Sequence, residues 1–204
     1  MSFIDEQAAA WSEIRERFSV NETPNGPGSF LKHTEHVRAE LPDLLAKYGI
    51  ASMLDVPCGT WNWLRHVELP ENLTYTGWDI EEEFVVSNQA EFGHRFECVN
   101  VLTVDRVPTV DLILCRDFLI HLPNEAALEV LEKFRASGSR YLLSTTHPRF
   151  VNDRPCPPEG HDDRPGYWCH PINLEAEPFN LTGRTAAIKE SDQKRELVLF
   201  DLHN

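Results

Sequence analysis

The sequence predicts a doubly wound α/β fold on a mostly parallel sheet, and three observations predict it. Short apolar runs recur with helical or turn-like segments between them, at about 51 to 56, 73 to 79, 94 to 99, 110 to 115 and 140 to 146. Runs such as Val110 to Cys115 and Tyr141 to Leu143 lack strict alternation, as parallel strands buried on both faces do. Two of the runs end in acids, Asp55 and Asp79, one strand-helix unit apart.

Before the first of these runs, Ile4, Ala8, Trp11, Ile14 and Phe18 repeat at helical spacing, with Arg15 and Arg17 late, which predicts an amphipathic helix. Pro24, Gly26, Pro27 and Gly28 end it. A second helix is expected from about Ser29 or Phe30 to Tyr48, with Gly49 as its stop and Pro42 as a point of division. Further on, Pro123 to Ala136 places Ala127, Val130, Leu131 and Phe134 on one helical face. The stretch 147 to 171, rich in Pro, Gly, Asp and His, reads as a long loop, and loops of that length in a compact fold are commonly lids. Glu196 to Leu202 is expected as the last strand, with Ile172 to Leu174 pairing near it. The chain reads as one domain, 1–204: a helical cap over 1–50, a ligand-binding core over 51–146, and a substrate loop with the last strands over 147–204.

Composition narrows the function. A hydrophobic share of 41% with 25% charged residues suits a folded globule with a core. The formal net charge of -14 argues against holding nucleic acid by its phosphates, which needs a basic footprint. No apolar run approaches the ~20 residues that span a bilayer, and Met1 to Ala10 has no basic segment leading into an apolar one. The expectation is a cytoplasmic protein acting on a small molecule, with neither nucleic acid nor membrane as partner. Five scattered cysteines do not make a disulfide framework. Cys156, His161, Cys169 and His170 lack the paired spacing of zinc ligands, so no metal is expected.

The chemistry concentrates where strands end. Asp55 runs into the turn Val56-Pro57-Cys58-Gly59, whose small residues let backbone approach a ligand, and Asp79 is placed to accept the hydroxyls of a ribose. The G-x-G-x-x-G spacing of a pyrophosphate site is missing, which favours a nucleoside without phosphates. Local roles stay open beside these: Asp55 as a turn cap, and Asp79 as the N-cap of the helix that starts at Glu81-Glu82-Glu83. Cys115, Arg116 and Asp117 follow the run 110 to 115 and His147 follows the next, which brings them to the same edge of the sheet. Asp117 and His147 are the candidate proton acceptors. The bland readings are a helix cap for Asp117, an ion pair for Arg116, and a hydrogen bond to the loop for His147. His121 would share the helical face of Asp117 if that segment is helical. In the loop, Asn152 and Trp168 are candidate substrate contacts, with closure of a hydrophobic seam the alternative for Trp168.

Asp55-Val56-Pro57-Cys58-Gly59-Thr60-Trp61, followed by Asp79-Ile80, Asn100-Val101, Asp111 to Asp117 and His121-Leu122-Pro123, resembles the class I S-adenosylmethionine-dependent methyltransferases over about residues 50 to 147. Within that family it resembles a small bacterial type with a Pro-Cys-Gly first motif. Gly59 matches the middle glycine of D-x-G-x-G-x-G, and Pro57 and Trp61 replace its neighbours. The resemblance implies a Rossmann-like sheet of seven strands with helices on both faces and an N-terminal helical extension over the cofactor. It implies S-adenosylmethionine as cofactor and S-adenosylhomocysteine as product. Asp55, Pro57, Gly59, Asp79, Ile80, Asn100, Val101, Cys115 and Arg116 would then form the cofactor site. The expected reaction is methyl transfer to a small polar acceptor, first of all a hydroxyl of a sugar-like compound or secondary metabolite. The alternative, favoured by Pro57 and Trp61, is a catalytically silent domain that binds the nucleoside for regulation.

Overall fold

In the computed structural model, which describes residues 22–153, 169–190 and 194–204, the strands are β1 (Ser52–Asp55), β2 (Thr74–Asp79), β3 (Arg95–Cys98), β4 (Leu112–Cys115), β5 (Tyr141–Thr146), β6 (Arg184–Lys189) and β7 (Glu196–Asp201). They make one seven-stranded sheet in the order β3-β2-β1-β4-β5-β7-β6. The first five strands pair in parallel, and β7 runs antiparallel to both β5 and β6. From β1 the chain winds outward through β2 to β3, then returns to β4 on the other side. That reversal opens a crevice at the carboxyl ends of β1 and β4.

Three longer helices, α1 (Glu35–Lys47), α2 (Glu82–Glu91) and α3 (Asn124–Ala136), accompany the sheet. Met53, Leu112, Leu114, Leu143, Leu197 and Leu199 face one layer, with α1 and Val85 of α2. Their neighbours Leu54, Ile113, Leu142, Val198 and Phe200 face the other, with α3 and the segment from Ile172 to Leu181. Both faces are buried, so the central strands read as unbroken apolar runs rather than as alternating ones.

Some expectations are corrected. The second helix begins at Glu35, after two short 3-10 turns, Pro27–Ser29 and Leu31–His33. Pro42 lies inside α1 without dividing it, because Val37, Leu41, Leu44 and Leu45 keep one buried stripe on both sides of it. Ile172 to Leu174 is not a strand. Its backbone bonds to the chain beside it, with His147 N donating to Ile172 O at 2.7 Å and Leu181 N to Leu174 O at 2.8 Å. The strand that does pair with β7 is β6, which the sequence hid, since at this edge only Ile188 is buried and no apolar run forms. The expected helix near residues 4 to 18 and most of the expected lid lie outside the described residues.

Candidate functional site

A cavity of about 500 Å³ opens at the carboxyl ends of β1, β2 and β4, within the range of small-molecule sites. Asp55, Pro57, Gly59, Asp79, Ile80, Asn100, Val101, Arg116 and Asp117 all line it. The fold brings together in space what the sequence holds over more than sixty positions.

The turn after β1 forms the floor. Gly59 has φ +54, the left-handed region that glycine enters without strain. Gly59 N donates to Asp79 Oδ2 at 2.8 Å, Glu81 N to Asp79 Oδ1 at 3.0 Å, and Asn88 Nδ2 to Gly59 O at 2.8 Å. Asp79 therefore locks the turn and holds the backbone just before α2, but it is not the expected N-cap: that position is Glu81, which makes no side-chain cap bond. Trp61 also has a positive φ, +54, but its indole leaves the cavity and packs under the turn against Tyr75, Phe92, His94 and Phe96. A tryptophan at this motif position thus costs the cavity no space.

Asp55 is buried and accepts from Tyr75 Oη at 2.8 Å. Burial pushes its carboxyl up to about 7; the Tyr75 hydroxyl opposes the rise, Asp79 adds to it, and Arg116 opposes it. Asp79 is pushed up to about 6, again chiefly by burial, against the N–H groups of Glu81 and Gly59. Between them, burial and the two acids hold the Cys58 thiol well above its usual range, hence protonated. On the far side, Val101 and Ile80 supply apolar walls, and Asn100 Oδ1 accepts from Leu102 N at 2.9 Å, which shapes the loop after β3.

The other end of the cavity is a ring of four charges. Arg116 donates to fully buried Glu190 through Nε at 2.9 Å and Nη2 at 3.0 Å, and its Nη1 lies 3.2 Å from Asp117 Oδ2. Arg195 Nη1 donates to Asp117 Oδ1 at 2.8 Å, and Thr145 Oγ1 lies 3.2 Å from the same oxygen. Burial raises the Asp117 carboxyl, but Arg116, Arg195 and His121 outweigh it and hold it below the usual carboxylate range. Asp117 itself has φ +54. Glu190 and Arg195 come from the loop between β6 and β7, so a hairpin of which the sequence showed only the second strand carries half of this ring. Acid-base pairs so far apart in sequence leave no spacing to read.

Other expected site residues sit elsewhere. Cys115 does not line the cavity: it ends β4 inside the core, 1% exposed, because the strand's alternation turns it to the α3 face. His147 is also off the lining. Its Nδ1 meets the backbone of Ile172, at 3.3 Å from the oxygen and 3.2 Å from the nitrogen, and its ring packs edge-on against Phe150. Asn152 braces the following loop, donating to Asn173 O and Glu177 O at 2.8 Å each and accepting from Asn173 N at 2.8 Å. Trp168 lies outside the described residues. His121, in a 3-10 turn rather than a helix, does line the cavity, as do Trp63, Cys169, Arg195 and the segment from Pro24 to Ser29. Among the described residues no group of three or more His, Cys, Asp or Glu could hold a metal ion, and no helix is long and apolar enough to cross a membrane.

No protein-family model matches the chain, and no curated protein sequence does. Solved structures do match. The complex of DhpI with S-adenosylhomocysteine has a TM-score of 0.65 at 16% identity, over 97% of this chain and 95% of that one. Magnesium protoporphyrin IX methyltransferase (ChlM) from Synechocystis PCC 6803 with bound S-adenosylmethionine has a TM-score of 0.57 at 14% identity, over 93% and 95% of the two chains. The plantazolicin methyltransferase BpumL, in complex with S-adenosylhomocysteine, has a TM-score of 0.50 at 20% identity, over 71% of this chain and 60% of its own. At these identities the fold is what is shared: this chain is folded as the S-adenosylmethionine-dependent methyltransferases are.

Proposed function

We propose that the protein is an S-adenosylmethionine-dependent methyltransferase acting on a hydroxyl of a small polar acceptor, a sugar-like compound or a secondary metabolite. The observation that carries the reading is the cavity at the sheet's reversal point, with Asp55, Gly59, Asp79, Ile80, Asn100 and Val101 on one wall, in a fold that other proteins use around this cofactor.

The residues present fit the cofactor. Asp55 and Asp79 are buried carboxylates with raised pKa values, and among the described lining residues the only Lys or Arg are Arg116 and Arg195, both committed to Asp117 or Glu190. Such a wall favours a positively charged occupant. Asp79 would hold the ribose, Ile80 and Val101 the adenine faces, Asn100 its edge, and the turn from Asp55 to Gly59 the amino-acid part. The cofactor, when bound, supplies an electrophilic methyl group, and the protein's main task is to align an acceptor with it.

The ring of Arg116, Asp117, Arg195 and Glu190 is neutral in sum and stands beside apolar Phe118 and Ile120, which suits an uncharged polar acceptor. Asp117, which lines the cavity, would accept a hydrogen bond from an acceptor hydroxyl. Because its two arginines keep it ionised, it orients the hydroxyl more than it removes the proton, and His121 stands on the same lining as a second acceptor of that proton.

The test has two parts: calorimetry of S-adenosylhomocysteine binding, then transfer of labelled methyl from S-adenosylmethionine across a panel of hydroxyl, amine and carbon acceptors. Binding with transfer to hydroxyls supports the reading. Binding without transfer to any acceptor supports the regulatory alternative, and no binding removes both.

A further inference from the structure

Residues Glu22 to Leu31 belong to no strand or α-helix, yet Pro24 to Ser29 form a wall of the cavity. Asn62 Nδ2 donates to Ser29 O at 2.9 Å and to Glu22 Oε1 at 3.1 Å along this segment, and two further contacts reach the two halves of the cavity. In the first, Asn25 Oδ1 accepts three hydrogen bonds: from Thr60 N at 3.0 Å, Thr60 Oγ1 at 2.5 Å and Thr23 Oγ1 at 2.8 Å. A Cβ on residue 59 would fall 2.3 Å from Asn25 Nδ2. The motif glycine is thus needed for this seat as well as for its own backbone angles.

In the second contact, a Cβ on residue 28 would fall 2.6 Å from Asp117 Oδ2. Asp117 cannot swing aside cheaply, since Arg195, Arg116 and Thr145 hold it. One contact therefore lies on the β1 turn beside Asp79, and the other lies at the charged ring. A single short segment touches both halves of the cavity, and polar bonds of modest net worth hold it there. A ligand bound against this wall would leave faster when those bonds open.

We propose that Asn25 is a positioning residue which, through Thr60, holds the β1 turn and the segment above it closed, with Gly28 as the steric fit at the second contact, and so sets how long the cofactor stays bound. The proposal rests on the cavity being the S-adenosylmethionine site. It goes beyond that reading by giving two residues outside the sequence motif control of ligand release.

The experiment is stopped-flow release of S-adenosylhomocysteine from the whole chain, with melting temperature measured in parallel. Asn25→Ala is expected to release it roughly tenfold faster, the effect of losing hydrogen bonds that hold a closed state. Asn25→Asp keeps the accepting oxygen and is expected to release near the wild-type rate, a rescue that a merely structural role would not produce. Gly28→Ala is expected to speed release with the β1 turn untouched. Its main chain lies outside the left-handed region, so the added methyl acts by contact alone, and this variant decides if Asn25→Ala does not fold. Wild-type release rates in folded Asn25→Ala and Gly28→Ala overturn the proposal. Absence of binding by the wild type overturns the cofactor reading and this one with it.

Discussion

At the scale of residues, Asp55 and Asp79 do opposite things to stability and to binding. Their native pKa values, about 7 and about 6, lie above the ordinary 3.8, so the folded chain holds these protons more tightly than the unfolded chain does. Their contribution to stability is full below about 3.8 and is lost as pH rises through 6 and then 7. Asp55→Asn should therefore be the more stable protein in alkaline buffer, gaining on wild type by roughly 2 to 3 kcal/mol from about pH 5 to about pH 8 in urea unfolding. Ligand binding should run the other way. Affinity for cationic S-adenosylmethionine should strengthen over the same rise in pH, and more than affinity for S-adenosylhomocysteine, which lacks the sulfonium charge; calorimetry at several pH values checks it. Asp79→Asn should cost about 1.5 to 3 kcal/mol of S-adenosylhomocysteine affinity, the range for hydrogen bonds to a charged partner. Asp117→Asn, which removes the charge that orients the acceptor hydroxyl, should slow single turnover by roughly 100-fold. His147→Ala should leave turnover per folded molecule nearly unchanged and lower the melting temperature, because His147 holds Ile172 and does not line the cavity. An equal fall in turnover for both variants would put His147 back among the reacting groups.

At the scale of elements, the hairpin of β6 and β7 is fastened to the end of β4 by charge. Arg116 grips Glu190 with two hydrogen bonds, and Arg195 grips Asp117, so each element gives one acid and one base. Glu190 is fully buried. Removing its carboxylate leaves Arg116 half-paired inside the protein, and Glu190→Ala should cost about 3 to 5 kcal/mol by urea unfolding, as broken buried pairs do. Replacement of both Glu190 and Arg116 by apolar residues should cost less than Glu190→Ala alone. A loss below 1 kcal/mol in Glu190→Ala would mean that water reaches the pair. The same elements show what was legible. β4 and the first half of β5 declared themselves as unbroken apolar runs because both of their faces are covered, and β1 and β2 by short apolar stretches that end in an acid. β6 did not, since it is an edge strand with one buried residue, and Glu190 and Arg195, the half of the ring that the loop after it brings to the cavity, went unread with it.

At the scale of the whole molecule, a net charge of -14 should keep the protein off nucleic acid: no shift of RNA or DNA is expected in low-salt electrophoresis, and salt-dependent binding there would contradict that reading. What the sequence determined by itself was the parallel core, the two acids at successive strand ends and the turn between them, because these depend on local periodicity and on residues a few positions apart. Asp55, Gly59 and Asp79 follow directly from that pattern, whereas Asn100 came from the family resemblance alone. Tertiary structure decided the rest. Alternation along β4 turned Cys115 into the core while Arg116 and Asp117, one and two residues on, reached the cavity. Loop packing drew His147 and Asn152 to backbone partners near Ile172 and Asn173. Asn25, Glu190 and Arg195 came to the site from 35, 74 and 78 residues away from their partners Thr60, Arg116 and Asp117. Contacts over such separations form only when the sheet order places their elements side by side, and no periodicity in the chain records that order.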